Sequence, residues 1–94
     1  RLRPRPVLQQ NAPNPFTATS GQTRIGYSVT GLAPMRLEVL DQFGRVVALL
    51  EEGWKEGGTY SVTWTPPADA PSGVYLCVLR EGDTVKTRNI VYTR

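Results

Sequence analysis

The chain has 94 residues, 39% of them apolar, enough for one small domain around a single core and too few for two. No apolar run approaches the roughly 18 residues that a bilayer crossing needs, which argues against a membrane-spanning chain. The net charge of +3 is carried by Arg1, Arg3 and Arg5; this leaves eight basic against eight acidic side chains beyond them, without the basic face that nucleic acid requires.

Residues 1–6 alternate arginine and proline and read as an extended, solvated linker arm, with the domain proper spanning residues 7–94. No apolar segment follows the arm as it would in a signal peptide, so an exported domain would take its export signal from elsewhere in a longer polypeptide. Val7-Leu8 reads as a short edge strand. In "NAPNPF" (11–16), Pro13 and Pro15 lack N–H donors and push their predecessors towards extended geometry, so the stretch is expected to stay out of the sheets and cross one end of the fold. Phe16 is then the anchor between the layers, a burial worth roughly 1.5–3 kcal/mol. Asn14 is expected to hold the turn by bonding neighbouring backbone.

Beyond this point apolarity follows a period of two. "TRIGYSV" (23–29) points Ile25, Tyr27 and Val29 to one side, and "MRLEVLD" (35–41) does the same with Met35, Leu37 and Val39. "RVVALLEE" (45–52) is apolar on both faces and fits a strand or a turn of helix. A strand is preferred because Asp41-Gln42-Phe43-Gly44 reads as a hairpin loop in which Gly44 can take positive φ. "TYSVTW" (59–64) places Tyr60, Val62 and Trp64 together. "TPPADAPSG" (65–73) is the connection between sheets, since prolines cannot donate to a ladder. "GVYLCVLRE" (73–81) is a central strand with Tyr75, Cys77 and Leu79 inward, and Glu81-Gly82-Asp83 turns it into "TVKTRNIVYT" (84–93). About seven antiparallel strands, broken by turns every 8–12 residues or so, indicate an all-β, immunoglobulin-like sandwich of two sheets.

Chemistry is poorly represented. The chain has no histidine, so the common Ser–His and Cys–His catalytic arrangements are unavailable. Its single cysteine, Cys77, sits mid-strand and reads as a buried structural thiol. Glu51, Glu52 and Glu56 form a solvated run, and no Asp-rich calcium loop is present. A non-catalytic domain with no cofactor and no metal is expected.

The residues also resemble a known family. "LQQNAPNPF", "TRIGYSV", "MRLEVLDQFGRVVALLEEG", "EGGTYSVTW" and "PSGVYLCVLREGDTVKTRNIVY" are similar, in order and over nearly the whole chain, to the type A C-terminal sorting domain of the type IX secretion system of Bacteroidetes and related bacteria. In outline they are also similar to the immunoglobulin-like domain of flagellar hook-capping proteins. The resemblance implies a module that directs a larger exported protein, a hydrolase or adhesin, through the periplasm to the cell surface or medium. Its implied partners are the outer-membrane translocon and a sortase-like peptidase, and a monomer is expected. The positions it singles out are Asn14, Pro15 and Phe16; Asp41, Gly44 and Arg45; Gly73, Val74 and Tyr75; and Lys86, Arg88, Ile90 and Val91 in the last strand. The recognised surface is expected to be Tyr75 with the 84–94 segment. Asn89 stands where the family pairs a second basic residue, and Thr65 where it often has an aspartate after the tryptophan. Two other readings accompany this one. The first is an accessory module binding carbohydrate through Trp54, the second an assembly scaffold.

Overall fold

Period-two alternation becomes strand throughout. The computed structural model describes residues 4–94, which form eight strands and no helix: β1 (Val7–Leu8), β2 (Phe16–Thr17), β3 (Thr23–Val29), β4 (Met35–Leu40), β5 (Val46–Gly53), β6 (Gly58–Trp64), β7 (Gly73–Glu81) and β8 (Thr84–Thr93). They build a three-stranded sheet, β1-β3-β6, and a five-stranded sheet, β2-β8-β7-β4-β5, packed as a β-sandwich. The inward rows are those read from the sequence: Ile25, Tyr27 and Val29; Met35, Leu37 and Val39; Tyr75, Cys77 and Leu79. Leu8, Phe16, Trp64, Ile90 and Tyr92 complete the core. The Arg88 guanidinium donates from Nε to the Leu8 carbonyl at 2.9 Å, which fixes β1 above β8. At the far end of β6, Trp64 reaches across the layers to Tyr75 of β7 and Phe16 of β2.

The opening segment departs from expectation. Instead of crossing the end of the fold unpaired, it carries the chain from the small sheet to the large one. Ala12 bridges Arg24 of β3 in both directions, at 2.8 and 2.9 Å, and Phe16–Thr17 pairs with β8. Proline blocks only its own N–H, and the amide of Ala12, just before Pro13, remains free to pair. The β2–β8 pair is parallel, so the sheet is not wholly antiparallel and there are eight strands rather than about seven. Asn14 bonds far from its neighbours: its Oδ1 accepts the Val91 amide at 2.9 Å, extending the β2–β8 contact past the point where backbone pairing stops at Phe16. Phe16 is buried as an anchor. Residues 1–3 of the expected arm lie outside the described residues. Of the rest, Pro4 and Arg5 are exposed while Pro6 is buried, so the arm ends one residue earlier than its composition suggests.

Two glycines set the hairpins. Gly44 (φ 80°) closes the β4–β5 loop and Gly82 (φ 57°) opens the two-residue β7–β8 turn, where a side chain would be disfavoured. Two buried carboxylates were not anticipated. Glu38, on the outer face of the large sheet, is covered by Arg36 (Nε–Oε2 2.8 Å) and Arg80 (Nε–Oε1 3.7 Å). Glu81 caps the β3–β4 loop, accepting from the amides of Thr30 and Gly31 and from the Thr30 hydroxyl at 2.9–3.1 Å.

Candidate functional site

The Asp41, Gly44 and Arg45 triplet forms a self-contained turn. Asp41 Oδ1 accepts the Phe43 and Arg45 amides at 2.9 and 3.0 Å, and Oδ2 receives Arg45 Nε at 2.8 Å. Desolvation pushes the Asp41 carboxyl up, but the Arg45 and Phe43 amides and the Arg45 guanidinium outweigh it and hold its pKa below the ordinary carboxylate value. Both oxygens are committed to the loop, so this carboxylate is a turn lock rather than a base. The lock leaves Phe43 at the loop tip, 73% exposed, with the Arg45 guanidinium carbon 5.2 Å from its ring centroid.

Across from this loop runs the β6–β7 connection, and between the two lies a cavity of about 220 Å³. Phe43, Arg45 and Val47 form one wall, Pro67, Asp69 and Pro71 the other, with Trp64, Val74 and Tyr75 at the base. The base is held by aromatic packing. Trp64 meets Tyr75 edge-on at 5.1 Å and Phe16 at 6.0 Å, and Phe16 lies 4.9 Å from Tyr92. Tyr75 donates its hydroxyl to the Pro71 carbonyl four residues upstream at 2.6 Å. Burial pushes its phenol up, helped by Tyr92 and Asp41. A tyrosine near the start of this strand, two residues before a cysteine and bonded back to the preceding corner, is the tyrosine corner of immunoglobulin-like sandwiches. Sequence reasoning missed it, although Tyr75-x-Cys77 preceded by Pro71 was there to be read.

The positions singled out by resemblance fall into groups. Asp41, Arg45, Gly73, Val74 and Tyr75 line this same cavity, with Gly44 in its rim loop. Val74 faces Val91 across the β7–β8 ladder on the outer face, and the Val91 amide is the one that Asn14 accepts. Asn14, Val91, Val74 and the 41–45 loop therefore make one continuous strip. Lys86, Arg88 and Ile90 lie on the opposite face of β8, in register with the inward Leu79, Cys77 and Tyr75, and are not brought to it. Phe16, Tyr75 and Ile90 are buried, so the expectation that Tyr75 is displayed is corrected: a sandwich core needs its large aromatics inside. Pro15 is exposed beside the strip, where it precedes β2.

Neither the family models, the curated proteins nor the solved structures yield a match to this chain.

Two further groups bear on chemistry. Burial pushes the Cys77 thiol up to about 12, far from a reactive thiolate. Among the described residues no three His, Cys, Asp or Glu side chains converge to hold a metal ion. What the site offers is an apolar, aromatic-walled recess whose rim carries Asp69 and the Asp41–Arg45 ion pair.

Proposed function

We propose that this domain is a non-catalytic sorting module, read as a folded surface by a type IX secretion apparatus that exports the larger protein to which it is attached. The observation that carries the reading is the strip itself. Asn14, Arg45, Val74 and Val91, up to 77 residues apart, meet on one side of the sandwich, and Val74 stays 49% exposed there beside the open cavity. Small apolar side chains left uncovered next to a recess suit docking of a partner surface. In this reading Phe43, Arg45 and Val74 meet the translocon, while Phe16, Tyr75 and Ile90 keep the surface in shape.

The test is export of a periplasmically targeted reporter fused ahead of residues 7–94 in a type IX-competent host. Val74→Lys and Phe43→Ala should block or strongly reduce export while leaving the melting temperature of the purified domain nearly unchanged. Truncation of β8 is a poor probe, because that strand lies between β2 and β7 and its loss dismantles the sheet. Full export of a folded Val74→Lys, Phe43→Ala double variant would remove this reading. An accessory polysaccharide-binding module is the second reading, favoured by Trp54, whose indole is 68% exposed. Quenching or blue-shift of Trp54 fluorescence on titration with soluble polysaccharide, lost in Trp54→Ala, would favour it.

A further inference from the structure

The sandwich is uneven, and the missing strand leaves a defined place. With β1 over β8, the three strands of the small sheet face five, and the shortfall falls partly on the flank where β6 and β5 are the two edges. The apolar side chains that touch the core without being sealed by it, Ala48, Leu50, Tyr60 and Val62, all sit along this flank on β5 and β6.

The backbone of β6 is unfinished in the same place. On β3, Arg24 exchanges bonds with Ala12, and the Gly26 carbonyl accepts from Gln9, so these residues turn their polar groups away from β6. Antiparallel geometry then assigns the β3–β6 bonds to the residues between them. Their partners Gly58, Tyr60, Val62 and Trp64 are used, while the N–H and C=O groups of Thr59, Ser61 and Thr63 point outward from the free edge. Among the described residues, none of these six groups has a hydrogen-bond partner.

Edges in stable sandwiches are usually blunted by shortness, proline, charge or bulges. Three of the four here are. β1 and β2 are two residues long and follow Pro6 and Pro15; β5 carries Glu51 and Glu52 and two register shifts against β4. β6 has none of these: seven residues, no charge, no proline and unbroken register.

We propose that the β6 edge is a docking site for one extended peptide segment, which adds a fourth strand to the small sheet and roofs β5. The segment fits if apolar side chains alternate with polar ones: apolar on Ala48, Leu50 and Val62, polar outward beside Thr59, Ser61 and Thr63. One strand is all the ledge holds. A second copy of the chain pairing β6 to β6 would bring its own overhanging β5 into the same space, so self-association is disfavoured. The ledge is closed at one end by Lys55, whose Nζ lies 3.6 Å from Glu51 and 4.5 Å over the Tyr60 ring. At the other it opens beside Val47 and Trp64.

The probe is a synthetic octapeptide alternating threonine and valine between terminal lysines, titrated into the 94-residue chain and followed by NMR and amide exchange. Saturable binding is expected, with exchange of the Thr59, Ser61 and Thr63 amides slowed at least about tenfold. The same peptide N-methylated at alternate residues should not bind, a control that leaves the protein untouched. Ser61→Pro removes an N–H that β3 does not use, and should weaken binding at least about tenfold. The proposal is overturned by absence of saturable binding at millimolar peptide, by binding that leaves those three amides unprotected, or by equal binding of the N-methylated peptide. It is also overturned by concentration-dependent protection of those amides without peptide, which would mean that copies pair with each other.

Discussion

Replacing Glu81 by glutamine changes almost no volume and tests whether a single carboxylate pins the β3–β4 loop to the end of β7. Its oxygens accept from three donors: the Thr30 amide, the Gly31 amide and the Thr30 hydroxyl. The side chain is 5% exposed, so water does not compete freely for it. A carboxamide has one acceptor oxygen. Turned towards Thr30, it presents its NH₂ to the Gly31 amide, donor against donor; turned the other way, it deprives the Thr30 hydroxyl. Leaving one such group unsatisfied costs about 1–3 kcal/mol, and weakening the surviving bonds from charge-assisted to neutral costs about 1 kcal/mol more. A loss of about 2–4 kcal/mol is therefore expected, a large part of a small domain's stability. Urea unfolding followed by tryptophan fluorescence measures it, provided the m-value is unchanged. Glu52→Gln is the control. That carboxylate meets Arg36 in an exposed ion pair and should cost under about 0.5 kcal/mol. A Glu81→Gln domain as stable as the Glu52→Gln one would refute the account of the loop.

Other expectations follow from the same packing. Phe16→Ala should cost about 3–5 kcal/mol by urea unfolding, since the ring is buried among Trp64 and Tyr92. Tyr75→Phe keeps the ring and removes only the bond to Pro71, so about 1 kcal/mol is expected from the same assay. Cys77 should be inert to a thiol reagent at pH 8 and react at once in urea, because its thiol is buried with a pKa of about 12. Tyr27 is raised to about 12, chiefly by burial and secondarily by Glu51 and Tyr60. A folded pKa above the unfolded value of 10 stabilises the native state fully below pH 10, and this contribution disappears as pH rises through 12. Stability should therefore fall between pH 10 and 12, less steeply in Tyr27→Phe.

The strands were legible because alternation alone decides which face of a half-buried strand turns inward. Ile25, Tyr27 and Val29 could hardly point elsewhere. Gly44 was legible because a tight hairpin loop must reverse the chain through positive φ, and glycine reaches that region without strain. The parallel β2–β8 pair was not, since a two-residue strand has no periodicity to read and its neighbour in the sheet lies some 75 residues away. The burial of Glu38 and Glu81 was not legible for a related reason. Charge argues for exposure unless partners are known, and the partners, Arg80 for one and the Thr30-Gly31 amides for the other, come from other strands and loops. The cavity was half visible. Its rim residues were picked by motif, whereas Pro67, Asp69 and Val47 became walls only through tertiary placement.

Most of the residues that make the sequence recognisable turn out to be occupied internally. Asp41 is consumed by its own loop, Tyr75 by Pro71, Asn14 by Val91, Phe16 by the aromatic core. A motif built from such residues reports how a sandwich is held together, and it would persist in any domain with the same corners, whatever that domain did. Discrimination between sorting, scaffolding and sugar binding must therefore rest on side chains that the fold does not need: Phe43, Val74, Trp54 and the free edge of β6. Exchanging only those groups leaves the motif intact. If export survives all of them together in a domain that still folds, the proposed reading of a folded surface falls, because no group that the fold leaves free is then being read.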